Sequence, residues 1–326
     1  MRKGKIRSVA PCRGWRSRPV AVDRLGKRQA RDYLSDAVLK EGLVMILSRF
    51  ALVVALALGS PLHAETAVEA PAASASVQAL ADVLQLDALF QVLRDEGLAH
   101  GESLAEDMFP SGGGADWDAS VSRIYDVAQL RGEFAKALGQ ALAADPAAVA
   151  EVTRFFASDL GQRILTLEIE ARRTFLDQAA EEAAQVAADD AAAAKDPKVA
   201  QLRRMIEAAD LVEMNVAGSL SGNLAFMTGM ASSGAYGVLP PDQLLSDVWG
   251  QEDQLRADTS TWLYSYLGLA YDPLTDAELD AYIAFWESPA GQHFNGALFA
   301  AFDSTFRQVS LELGKAAGLA MQGNDI

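Results

Sequence analysis

The octapeptide Phe-Phe-Ala-Ser-Asp-Leu-Gly-Gln at 155–162 returns at 285–292 as Phe-Trp-Glu-Ser-Pro-Ala-Gly-Gln. A chain that repeats the same local text at that spacing is constrained to build the same local structure twice. The flanking sequence says which structure. From Val77 onward Ala, Leu, Glu, Asp and Gln dominate at three-to-four spacing, and no alternating β-branched run is long enough for a strand. The expected fold class is therefore all-α, a tandem repeat of two four-helix units. The first spans 77–194 and the second 197–320, with a tail at 321–326. Each unit is expected to hold a first helix, a Gly/Ser loop (109–117 and 230–241), a second helix, a short third helix, the octapeptide and a long fourth helix. Asp145-Pro146 and Asp272-Pro273 end the second helices. The first helices align as 84–93 with 206–215. Asp196-Pro197, after four alanines, is the joint between the units, since the residue before proline avoids helical backbone.

The N-terminal text is of a different kind. Met45 to Ala64 reads as a secretory signal peptide: Arg49 as its basic start, an apolar run at 50–59 and Leu62-His63-Ala64 ending in a small residue before a cut after Ala64. That run is shorter than the roughly 20 residues a bilayer-spanning helix needs. Residues 1–44 are rich in Lys and Arg without periodicity. They read as an upstream extension from a start placed too early, with a bipartite targeting segment as the alternative. Residues 65–76 read as a linker of small residues. Of 28 Lys and Arg and 44 Asp and Glu, the segment 1–64 holds 13 and 4. The segment 65–326 carries 15 basic against 40 acidic groups, a net charge near −25. Such a field repels nucleic acid and anionic headgroups. Cys12, the only cysteine, lies in the discarded segment, which leaves no thiol chemistry and suits an oxidising, periplasmic or extracellular compartment.

The octapeptide has a physical reading as a helix–corner–helix. Ser158 and Ser288 are placed to cap the following helix, with Pro289 at its first position and Asp159 in the favourable first turn. Gly161 and Gly291 fall where glycine costs about 1 kcal/mol against alanine, so something must approach closely there. Phe155, Phe156, Phe285 and Trp286 fill the corner. Gln162 and Gln292 have no structural role in this reading, and they are the first candidates for function. A serine nucleophile would need an adjacent base, and neither copy places one.

The stretch 274–294 carries Thr275, Glu278, Leu279, Phe285, Trp286, Ser288, Pro289, Gly291 and Gln292 in an order that resembles a bacterial family of exported helical domains, domain of unknown function 2059. The first copy is a degenerate version, with Asp159 in place of proline. The resemblance implies export and a helical fold, and it brings no activity.

Other candidates have plain readings. Thr275 with Glu278 is a capping box. Glu168 and Arg172 are spaced as a solvated i, i+4 ion pair, with a carboxylate clamp as the sharper alternative. Met214, Met227 and Met230 read as core or contact surface rather than a copper site. Gly218 and Gly222 have the spacing that lets helices approach. No metal or cofactor is expected. The leading functional expectation is a non-catalytic interaction protein, adaptor or chaperone-like, whose partner is an envelope protein. A carrier holding an apolar ligand between the repeats is the second, and a hydrolase using Glu278, Glu287 and His293 the third.

Overall fold

The computed structural model describes residues 70–109, 112–234 and 240–323. The signal peptide, the upstream extension and most of the linker lie outside the described residues. Among those described, the chain is all-helical with no strand. The order is α1 (Ala70–Val83), α2 (Leu86–Met108), α3 (Gly114–Ile124), α4 (Val127–Leu142), α5 (Pro146–Phe156), α6 (Asp159–Thr174), α7 (Gln178–Ala194), α8 (Pro197–Ala208), α9 (Leu211–Ser232), α10 (Pro241–Trp249), α11 (Glu252–Tyr271), α12 (Asp276–Glu287) and α13 (Pro289–Met321).

Four helices per unit is too few. Gln85 (φ 55°) and Asp210 (φ 47°) adopt the left-handed conformation and split what reads as one helix into α1–α2 and α8–α9. Neither break carries the glycine or proline that announces one. Helix α1 also begins at Ala70, inside the stretch read as linker, because alanine has the highest helix propensity. The matching is shifted as well. Asp145 caps α5 by accepting from Ala148 N at 2.9 Å, and Thr275, at the octapeptide register in the second copy, caps α12 by accepting from Glu278 N at 3.3 Å. The counterpart of Asp145 is therefore Thr275, not Asp272. The left-handed Gln85 likewise answers to Asp210.

Short helices within each half pack in the same pairs. Helix α1 lies on α4 and α5 as α8 lies on α11 and α12, and α2 lies on α3 and α4 as α9 lies on α10 and α11. The long final helices cross over: α13 packs on α4 and α5, while α6 and α7 pack on α11. A large apolar core, from Leu80 to Ala317, results, with a smaller separate cluster of Val216, Leu220, Val248 and Leu255. Phe302 of α13 sits 4.3 Å from Phe134 and 6.3 Å from Phe90, ring centre to ring centre.

The halves differ after the sixth helix. The chain turns at 175–177, so α7 folds back on α11, capped at its start by Asp177 and ended by the left-handed Lys195. Asp196 then caps α8, with Pro197 as its first residue. Helix α13 instead runs on and packs against α9. The close approach expected at Gly218 occurs further along, while Gly222 is buried in α9. A Cβ on Gly229 would strike the Leu311 carbonyl, one on Gly314 the Phe226 carbonyl, while Gly218 faces open space. Met214, Met227 and Met230 are buried in the core.

Candidate functional site

Each octapeptide forms a closed corner. Ser158 Oγ accepts from Gly161 N at 3.1 Å and donates to the Phe155 carbonyl at 2.6 Å. Ser288 Oγ accepts from Gly291 N at 3.0 Å and donates to the Phe285 carbonyl at 2.7 Å. Both hydroxyls are committed in both directions, which suits a cap and not a nucleophile. A Cβ on Gly161 or Gly291 would land on the preceding helix, at the Phe155 or Phe285 carbonyl. Pro289 opens α13 as its first residue.

Gln162 and Gln292 also have structural work. Gln162 Nε2 donates to the Val83 carbonyl at 2.8 Å and the Phe156 carbonyl at 2.7 Å. Gln292 Nε2 donates to the Ala208 and Trp286 carbonyls, each at 2.7 Å. In each half one amide clips together the C-terminal ends of two helices, whose last carbonyls have no intrahelical partner. The acceptors Val83 and Ala208 lie far upstream in the chain, beyond the reach of motif reading.

The two corners meet. Phe155 stacks on Phe285 with ring centres 4.1 Å apart and planes 12° from parallel, and Phe156 packs edge-on against Phe285 and Trp286. The residue after each Gln reaches across to the other half. Arg163 Nη1 pairs with Glu278 Oε1 at 2.6 Å, and His293 Nδ1 faces Asp145 Oδ2 at 3.4 Å. Arg163 and His293 occupy the same register, with different chemistry.

Beside this seam lies a buried polar cluster. Glu168 and Arg172 do not form the expected surface pair. Arg172, 1% exposed, has its Nε 2.8 Å from Glu96 Oε1 of α2. Glu168 Oε1 accepts from the Tyr271 hydroxyl at 2.7 Å and the Tyr282 hydroxyl at 2.9 Å, while Tyr266 donates to the Glu168 backbone carbonyl at 2.9 Å. The helix containing them is covered on that face by α2, α11 and α12, which spacing within α6 cannot reveal. Burial pushes the Glu168 carboxyl above the usual carboxylate range, against the pull of Tyr271, Tyr282 and Arg172. Burial likewise drives the Tyr266, Tyr271 and Tyr282 hydroxyls up, with the Glu168 charge adding to it.

Glu168 lines a partly open cavity of about 60 Å³ walled by both halves, with Leu84 and Leu86, Phe156 and Trp286 from the two octapeptides, and Leu298 and Phe302 of α13. At the register the octapeptides set, Glu168 corresponds to Leu298 and Arg172 to Phe302. One side of the seam is thus polar and the other apolar. A half-buried carboxyl with a raised pKa, lining a cavity, is the kind of group that marks functional sites. The sequence carried one usable sign of it, a polar Glu-x-x-x-Arg where the second copy has Leu and Phe.

The residues of the hydrolase expectation each engage a different partner. Glu278 is held by Thr275 and Arg163 at the start of α12, Glu287 by Arg204 at its end (Arg204 Nε–Glu287 Oε1 2.7 Å), and His293 faces Asp145. Among the described residues, no group of three His, Cys, Asp or Glu is placed to hold a metal ion, and no helix is long and apolar enough to cross a membrane.

The fold and the seam define an all-helical protein whose halves are joined by a paired aromatic corner. Residues 128–190, which hold α5, α6 and the first octapeptide, match the model of a family described as "Uncharacterized protein conserved in bacteria (DUF2059)". The resemblance drawn from the second octapeptide thus reappears on the first copy, the one read as degenerate. No curated protein and no solved structure matches the chain.

Proposed function

We propose that this chain is a non-catalytic interaction protein of the cell envelope, adaptor or chaperone-like, made by duplication of one helical unit. The duplication is supported by the matched corners, the matched left-handed breaks at Gln85 and Asp210, and the shared pairing of α1–α4 and α8–α11. The copies then hold six helices each, with α7 inserted. Export rests on the signal peptide read at 45–64.

The observation that carries the interaction role is on α10. Leu244 and Val248 of α10 are buried, as are Trp117 and Val121 of its counterpart α3. The next residue in each pair differs. Helix α3 presents Asp118 and Ser122, whereas α10 presents Leu245, 41% exposed, and Trp249, 57% exposed. An exposed Trp with a Leu one turn away is an anchor of the kind enriched at binding hot spots. The rim is acidic: Asp242, Asp247 and Asp253 are exposed. Between 211 and 273 the single basic side chain, Arg256, is engaged by Glu213 and Glu252. The occupant that fits is a basic amphipathic helix laying its apolar face on Leu245 and Trp249. A photo-crosslinking residue at position 249 in living cells is expected to give a discrete adduct, and the same residue at position 118 none. Equal labelling from both positions would contradict the assignment.

A further inference from the structure

We infer that the cavity between the halves is a binding site for the neutral, oxygen-bearing end of a small apolar molecule. Its walls come from both halves and are apolar except at one pole, where Glu168 and the Tyr266 and Tyr282 side chains face it. Two tyrosine hydroxyls donate to the same carboxyl oxygen, Oε1, and no described hydrogen bond falls on Oε2. Burial raises the Glu168 pKa against the pull of Tyr271, Tyr282 and Arg172, and in its protonated form the carboxyl has an O–H to give to a ligand acceptor, as neutral carboxyls do in apolar sites. The Trp286 indole N–H, 2% exposed as a residue, lies by the same pole without a hydrogen bond of good geometry, turned toward Tyr282.

Size and charge select the ligand class. A cavity of about 60 Å³ is far below the roughly 300 Å³ at which drug-sized sites begin. The occupant is a few heavy atoms, or the end of a longer chain. An ammonium would be desolvated in an apolar chamber one helical turn from Arg172. A carboxylate would meet the same desolvation cost beside a second acid. An alcohol or ketone avoids both, and the leucine and phenylalanine walls, Leu298 among them, receive its hydrocarbon part.

The test titrates the protein with 1-hexanol, 2-hexanone, hexylammonium and hexanoate while following the methyl NMR signals of Leu84, Leu165 and Leu298. Saturable shifts with the alcohol and ketone, at least tenfold weaker with the two ions, are expected. Leu298→Phe, which fills the chamber, should abolish them, and Glu168→Leu should remove the preference for oxygen. Glu168→Gln keeps a donor at the pole and should retain hexanol binding within about threefold, so a folding failure of Glu168→Leu leaves the test intact. No saturable shift in the wild-type protein, or unchanged binding in Leu298→Phe, would overturn the assignment. Trp249→Ser should leave these titrations unchanged, which separates this site from the α10 surface.

Discussion

Phe155 and Phe285, the first residues of the two octapeptides, stack on each other with ring centres 4.1 Å apart. The repeated motif is thus not two copies of one site but two faces of one joint. Phe285 is 7% exposed and Phe155 half-buried. Phe285→Ala is expected to cost about 3–5 kcal/mol in urea unfolding, as for buried phenylalanines generally. Phe155→Ala should cost less, and the double mutant should show a coupling of about 0.5–1.5 kcal/mol.

Gln292 holds the Ala208 and Trp286 carbonyls. Gln292→Leu leaves both without that donor, and a loss of about 1–3 kcal/mol follows. Gln162→Leu should behave alike through Val83 and Phe156. If either change proved neutral in denaturant melts, the clip would have no energetic role.

Glu168 sets a pH dependence. Its folded-state pKa is raised above the ordinary 4.5, so the folded state binds the proton more tightly than the unfolded one. The stabilisation is complete below about pH 4.5 and is lost as pH rises through the folded-state value. Asp145, Glu278 and Glu287 have lowered pKa values, the first two half-buried and Glu287 exposed, and their contribution is lost only at more acidic pH. Denaturation midpoints measured from pH 4.5 upward should therefore fall in the wild type. They should fall less in Glu168→Gln, which has no proton to lose.

The glycines of α9 divide by environment. Gly229→Ala forces α9 off α13, and overpacking of this kind costs about 1–3 kcal/mol. Gly218→Ala meets open space and should stabilise the helix by up to about 1 kcal/mol. Thermal melts of the two variants should move in opposite directions.

Much of the fold was legible where its causes are local. The caps at Ser158, Ser288 and Thr275 and the close glycine contacts at Gly161 and Gly291 follow from a few adjacent residues. What was hidden depends on distant chain. Gln162 and Gln292 find their acceptors at Val83 and Ala208, near the other end of each half. Glu168 and Arg172 have the spacing of an exposed pair, and only the docking of α2, α11 and α12 covers them. The helix breaks at Gln85 and Asp210 use residues with no breaker signature. The apolar pair on α10 was in the text of the repeat, visible only once Leu244 and Val248 were known to point inward.

The decisive measurement for a docking surface at Leu245 and Trp249 is the affinity of a basic amphipathic Leu/Lys helical peptide. It is read for the wild-type protein and for Trp249→Ser, at low and at physiological salt. The expected result is saturable binding that weakens with salt and falls at least tenfold in Trp249→Ser, with Asp118→Ala on α3 unchanged. Binding that is indifferent to Trp249→Ser would contradict a docking role for α10.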